Sequence, residues 1–204
     1  FARAKLDAGV VGDVLLFDGG HGVAIAYPEK LFATSDGGST WLQISSWQPD
    51  SAALSLAVNP VTPTTLYAGR GVPLQPPGFK GHGGGVFKST DGGGNWDAPN
   101  TNRAPALVEV LAIDPVTPTT LYAGTYEGGA FKSTDGGGSW SPVSTGLPSP
   151  AEVLALALAP TNPTRVYAGT QTGGVVNQIY VNEGEATQKD QVVAMTGDGV
   201  NDAP

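Results

Sequence analysis

The stretch KSTDGGGSW at residues 132–140 gathers a carboxylate, three glycines, three hydroxyls and a tryptophan into nine positions. That is the composition of an active-site loop. Yet KSTDGGGNW stands at residues 88–96 and ATSDGGSTW at residues 33–41. A catalytic centre is needed once, whereas a structural brace is needed once per repeated unit. The recurrence makes the stretch scaffold, and its spacing sets the fold.

A second motif recurs in step with the first. LAVNPVTPTTLYAG (56–69), LAIDPVTPTTLYAG (111–124) and LALAPTNPTRVYAG (156–169) begin 55 and 45 residues apart, and the tryptophans at 41, 96 and 140 are spaced by 55 and 44. Leu66 to Asp91 spans 25 positions and Leu121 to Asp135 spans 14, so the second unit carries 11 extra residues. Without them the period is near 44, within the ~40–45 residues of a four-stranded propeller blade. The third unit holds four strands' worth of material: VLAID (110–114), TLYAG (120–124), AFKST (130–134) and WSPVS (140–144), separated by turns. In VLALALA (153–159), Leu154, Leu156 and Leu158 alternate with Ala155, Ala157 and Ala159, which suits a strand sandwiched between two sheets. A helix is the alternative for this run, but prolines bracket it. The expected fold is all-β, a partial β-propeller of about four four-stranded antiparallel blades, with a non-propeller C-terminal tail. The blades fall at about 10–47, 52–99, 106–147 and 152–175, with residues 1–9 unassigned. The fourth unit stops matching after Gly174, where Tyr180 replaces the expected aspartate.

Each position of the motif has a mechanical reason. Its turn joins two antiparallel strands and needs the positive φ values that glycine supplies, at Gly38, Gly93 and Gly137 among others. Asp36, Asp91 and Asp135 accept hydrogen bonds from amides of their own turns, and Thr34, Ser89 and Ser133 bond the same loops. Trp41, Trp96 and Trp140 bury large rings between sheets. Calcium binding is the other use for such aspartates. On these residues the chain resembles the Asp-box, or bacterial neuraminidase repeat, family over residues 10–175. The resemblance implies the propeller found in sialidases, xyloglucan-cleaving glycoside hydrolases, sortilin-type receptors and photosystem-assembly factors. It places the box at the blade periphery, away from the ligand face. It also implies further blades outside this chain and an extracytoplasmic location.

Turns alternate between the two ends of a blade, so the strand-two to strand-three connections lie opposite the aspartate turns. The extra residues fall there, in RGVPLQPPGFKGHGGG (70–85), which offers Arg70, Phe79, Lys80 and His82. Tyr126 and Glu127 hold the matching connection of the next blade. Insertions on one face of a repeat protein often mark its binding face. The expected ligand is a protein or a glycan.

A net charge of −8 disfavours nucleic acid, and no apolar run approaches the roughly 18 residues of a membrane span. With no cysteine, thiol catalysis and cysteine-ligated zinc are excluded, and His21 and His82 are the only histidines. HGGG at 82–85 is similar to an esterase oxyanion loop, but no G-x-S-x-G nucleophile accompanies it. A glycoside hydrolase needs two placed carboxylates. Asp18, Asp50, Asp97 and Glu127 are candidates that sequence alone does not pair. No catalytic residue is assigned and no cofactor is expected.

The tail VVAMTGDGVNDAP (192–204) resembles the TGDGVNDxP hinge motif of P-type cation-transporting ATPases. That resemblance implies magnesium at Asp198, with Asn201 near a phosphoryl group and Asp202 supporting the loop. The D-K-T-G-T phosphorylation segment of that family is absent. Residues 176–204 read as a tail beyond a junction, expected to be poorly packed or to mimic a strand, and magnesium is expected only if the motif is functional.

Overall fold

The computed structural model describes residues 11–16, 20–26, 30–46, 52–71, 85–97, 107–126, 128–147, 149–150, 152–159, 162–172 and 175–182. The described residues form strands joined by turns and contain no α-helix.

The first sheet comprises β1 (Val11–Leu16), β2 (Gly22–Ala26), β3 (Lys30–Thr34) and β4 (Leu42–Ser46), in sequential order. The second comprises β5 (Ala52–Val58), β6 (Leu66–Gly71) and β7 (Gly85–Ser89). Among the described residues its expected fourth strand is represented by a bridge between Lys88 and Asp97. The third comprises β8 (Val108–Ile113), β9 (Leu121–Thr125), β10 (Ala130–Ser133) and the short β11 (Ser141–Pro142). The fourth comprises β12 (Glu152–Ala159), β13 (Asn162–Thr172) and β14 (Val175–Asn182). Every pairing is antiparallel. Consecutive sheets meet through their first two strands: β1 and β2 on β5, β5 and β6 on β8, β8 and β9 on β12. Meander sheets stacked in sequence with the first strand innermost make a partial β-propeller. No helix of the described residues is long and apolar enough to cross a membrane.

One feature departs from the sequence reading and a second takes up one of its alternatives. A bulge between Val153 and Ala155 lifts Leu154 out of alternation, so that it is 43% exposed while Val153 is buried in its place. The strand β14 also runs on past residue 174, pairing with β13 from Thr172↔Val175 to Arg165↔Asn182. In this register Val181 stands opposite Val166, where Ser133 stands opposite Leu121 in the third sheet. A valine offers no hydroxyl to an aspartate turn, which is why the motif fades there without ending the sheet.

The core lies between sheets. Ala57, Tyr67 and Val86 of the second sheet pack with Val108, Leu111, Leu121, Ala123 and Trp140 of the third. Val23, Ile25 and Leu31 of the first pack with Leu56, Leu66 and Ala68 of the second. At the two later joints approach is closest at a glycine. A β-carbon at Gly69 would lie 2.7 Å from Val108 Cγ1, and one at Gly124 would lie 2.5 Å from Val153 Cγ1. At Gly169 in the fourth sheet it would meet, among the described residues, Ala155 of the same sheet at 3.2 Å.

Gly124→Ala should therefore behave as an overpacked core substitution, costing about 1–3 kcal/mol. Gly169→Ala should cost well under half as much. Urea unfolding midpoints of the two variants check the contrast, and equal losses would refute the assignment of Gly124 to a sheet-to-sheet joint.

Candidate functional site

The three aspartate turns share one geometry. Asp36 Oδ1 accepts from the Thr34 hydroxyl and the Thr40 amide, both at 2.8 Å, and its Oδ2 accepts from the Thr40 hydroxyl at 2.6 Å. Asp91 does the same with Ser89 (2.8 Å), the Asn95 amide (2.9 Å) and Asn95 Nδ2 (2.6 Å). Asp135 repeats it with Ser133 (2.8 Å), the Ser139 amide (2.9 Å) and the Ser139 hydroxyl (2.6 Å). The hydroxyls of Thr34, Ser89 and Ser133 accept in turn from the amides of Gly38, Gly93 and Gly137, at 2.9–3.0 Å. Two successive glycines reach left-handed φ values, 71° and 89° at Gly136 and Gly137, a region costly to side chains. The preceding-turn contact is also repeated: Gly37, Gly92 and Gly136 donate to the carbonyls of Gly20, Thr64 and Thr119. Each aspartate turn is thus stitched to the other turn at its end of the sheet.

These bonds stabilise the ionised carboxylate. The Thr40 hydroxyl and amide, then Thr34, hold the Asp36 pKa at about 2, and the Asn95 amide and side chain, then Ser89, do so for Asp91. For Asp135 the Ser139 hydroxyl and amide, then Ser133, give the same value. The donors Thr40, Asn95 and Ser139 were not singled out in the sequence. Their signal was present: the residue before each tryptophan carries a side-chain donor.

The tryptophans differ by position in the stack. Trp140 is buried between the second and third sheets, Trp96 is partly buried against the core of the first and second, and Trp41 is partly buried on the first. Trp96 Nε1 donates to the Gly93 carbonyl at 2.9 Å. Gly136 and Gly137 of the third sheet lie over the Tyr67 ring of the second, where Lys88 Nζ stands 5.6 Å from the ring centre.

The opposite end of the sheets is built differently. Arg70 pairs with Gly85 and Ala53 near the end of β6, and Tyr126 follows β9 in the neighbouring sheet, so the two reach the same end. The side chain of Tyr126 is 38% exposed. Its amide donates to the Leu107 carbonyl at 3.1 Å, and Leu107 is the only non-glycine residue with positive φ (53°) among the described residues. Thr125 closes the adjacent loop: its hydroxyl donates to the Gly129 carbonyl at 2.8 Å and accepts from the Gly128 amide at 3.0 Å. Glu109 sits in the register shift between Val108 and Val110 and is partly buried. Burial, then the charge of Glu152 on the next sheet, push its pKa up. Neither Leu107 nor the Glu109–Glu152 pair was legible in the sequence, because both depend on a bulge and on neighbouring sheets.

Phe79, Lys80, His82 and Glu127 lie outside the described residues, as do Asp198 and Asp202 of the tail and the carboxylates Asp18 and Asp50. Asp97 pairs with Lys88 through backbone bonds of 2.9 and 3.1 Å beside β7, away from Glu109 in both sheet and strand. Among the described residues no group of three or more His, Asp or Glu could hold a metal ion.

No protein-family profile and no curated protein matches the sequence. Solved structures do match the fold. An ancestral GH74 enzyme aligns with a TM-score of 0.67 at 20% identity, over 87% of this chain and 25% of that one. The GH74 xyloglucanase of Xanthomonas campestris aligns at 0.58 and 17% identity, over 83% of this chain and 29% of that one. YCF48 bound to D1 peptide aligns at 0.61 and 17% identity, over 87% of this chain and 52% of that one. The chain thus spans about a quarter to a half of these propeller proteins, and the likeness is one of fold.

The aspartate pKa values carry a pH signature. The ordinary carboxyl value is 3.8, and all three folded values are depressed to about 2. A depressed folded value stabilises the fold fully above the ordinary value and is lost as pH falls through the folded one. Urea midpoints should therefore be steady near neutrality and decline as pH falls from about 4 to about 2. A variant combining Asp36→Asn, Asp91→Asn and Asp135→Asn should start lower at neutral pH and show a shallower acid decline. An unchanged acid limb would contradict the assignment.

Proposed function

We propose that the chain is a non-catalytic propeller module that binds a protein or glycan ligand at the end opposite its aspartate turns. The observation that carries this reading is the distribution of the three aspartates. Each is engaged at both oxygens within its own turn, and the three stand on three different sheets. They brace hairpins and do not converge on a substrate.

The other end supports ligand binding by its chemistry. Tyr126 offers an exposed amphipathic ring, of the kind enriched at recognition surfaces. Arg70 reaches the same end from the adjacent sheet and opens the long connection to Gly85. The YCF48 structure, a similar fold, is of a peptide complex. An extracytoplasmic setting belongs to this proposal, on the family resemblance of the repeats.

A second reading, that the chain is part of a glycoside hydrolase, is favoured by one observation. Glu109 is partly buried, its pKa is raised by that burial, and Glu152 is close enough to raise it further. A carboxyl whose pKa is raised beside a second carboxylate is the arrangement from which a general acid is built.

Two measurements separate the readings. A glycan array and a peptide library screened against the chain should yield a ligand whose affinity falls at least about tenfold in Tyr126→Ala, the scale of an interface side chain worth over 1 kcal/mol. Replacing residues 72–82 by a short glycine linker should weaken it as well. Full binding by both variants would overturn the proposed surface. Hydrolysis of xyloglucan and of a sialoside should be absent, and turnover abolished by Glu109→Gln would establish the second reading instead.

A further inference from the structure

The first strands of the four sheets share one irregularity. Each pairs with its second strand through a register shift at the same place, between Val11 and Asp13, Ala53 and Ser55, Val108 and Val110, and Val153 and Ala155. The extra residues are Gly12, Leu54, Glu109 and Leu154. A bulge leaves its extra residue unpaired and re-aims the side chain. The first, second and fourth sheets place glycine or leucine there, so the stack itself has no need of a carboxylate at this position.

The third sheet departs from its neighbours once more at the same end. In the second and fourth sheets the ladder runs one residue further, to Ala52↔Gly71 and Glu152↔Gln171. The matching residues of the third sheet are Leu107 and Tyr126, joined by the Tyr126 amide bond to the Leu107 carbonyl. Leu107 is left-handed, the ladder stops at Val108↔Thr125, and the Tyr126 ring is exposed. Two residues on, Glu109 is partly withdrawn from water and feels the charge of Glu152 on the next sheet. Among the described residues no hydrogen bond or ion pair to Glu109 offsets either effect. A carboxylate that lacks a partner, a second carboxylate near it and an exposed aromatic ring are complementary to a cation carried on an apolar stem.

We propose that the ligand of this end is a peptide recognised through a lysine or arginine side chain, with Glu109 as the residue that sets this specificity. Both side chains join an apolar stem to a charged head. The head supplies Glu109 with the charge-assisted hydrogen bond that the chain does not, and relieves its repulsion with Glu152. The stem lies toward the Tyr126 ring, whose face also attracts a cation. A net charge of −8 favours the approach of a basic partner, whereas a neutral glycan answers neither carboxylate. This inference rests on the ligand-binding reading and deepens it by naming the chemistry of the ligand.

The test uses the full chain and two end-blocked peptide libraries, one with lysine or arginine fixed at the centre and one with norleucine or citrulline there. Members of the first should bind, and their neutral counterparts should bind at least about tenfold more weakly. Glu109→Gln should lose at least about tenfold toward the charged peptides and nothing toward the neutral ones, a split that a merely structural role would not produce. Glu109→Leu carries the residue of the second and fourth sheets, so its urea midpoint should be no lower than that of wild type while the preference for charge is lost. Equal affinity of wild type for charged and neutral peptides overturns the inference, as does an undiminished preference in a folded Glu109→Gln or Glu109→Leu variant. Binding that depends on Tyr126 but not on peptide charge, or that is confined to a glycan array, overturns it and leaves the ligand-binding reading standing. A chain that binds neither peptides nor glycans overturns both.

Discussion

A methyl group has no room at residue 124. Its carbon would lie 2.5 Å from one valine methyl and 2.7 Å from another, Val153 and Val110, inside any tolerable contact. The same shortage recurs at Gly69 against Val108. This constraint organises the molecule. Inner strands approach closely because glycine removes the side chain that would hold them apart. Elsewhere in the joint Tyr67 and Trp140 fill the space between the same two sheets. Small residues at one place and large rings at another let twisted sheets stack without voids, and close packing is where most core stability resides.

The aspartate turns solve a different problem. Two glycines in succession at positive φ lose much conformational freedom on folding, and a turn of that composition is unstable alone. The carboxylate compensates by accepting from an amide and a side chain four residues on, while the preceding hydroxyl gathers two more amides. At Gly94 and Gly138 a β-carbon would crowd the carboxylate at 3.1 and 3.2 Å, yet the first copy carries Ser39 there. The third glycine is therefore a preference, whereas the pair before it is present in all three turns.

Much of this was legible because it repeats. Three copies of one motif show which residues vary with the surroundings and which serve the turn, so sheet order and hairpin chemistry follow from the spacing. What was not legible depends on context that a repeat does not encode. The alternation of VLALALA predicts Leu154 on the face of Leu156, but one bulged residue reverses it. The fourth sheet loses its hydroxyl and aspartate, yet β14 persists, because pairing needs only backbone groups and β-branched side chains such as Val175, Val176, Ile179 and Val181. Glu109 reads as an ordinary strand carboxylate until the bulge and the neighbouring sheet are in place.

The two ends of the sheets therefore differ in what their polar groups are free to do. At the aspartate end, donors and acceptors satisfy one another within a few residues, and the geometry recurs three times. That is the behaviour of structure optimised for itself. At the other end Leu107 holds a left-handed backbone angle, Glu109 is withdrawn from water toward a like charge, and Tyr126 is left exposed. None of these helps the fold: a strained non-glycine residue and a desolvated acid each oppose it. Local violations of the rules that the rest of a chain obeys concentrate where something other than stability has been selected. Because the strain and the partly buried acid lie beside the exposed ring and opposite the braced turns, the asymmetry between the ends supports the proposed surface on grounds separate from any likeness to other propellers.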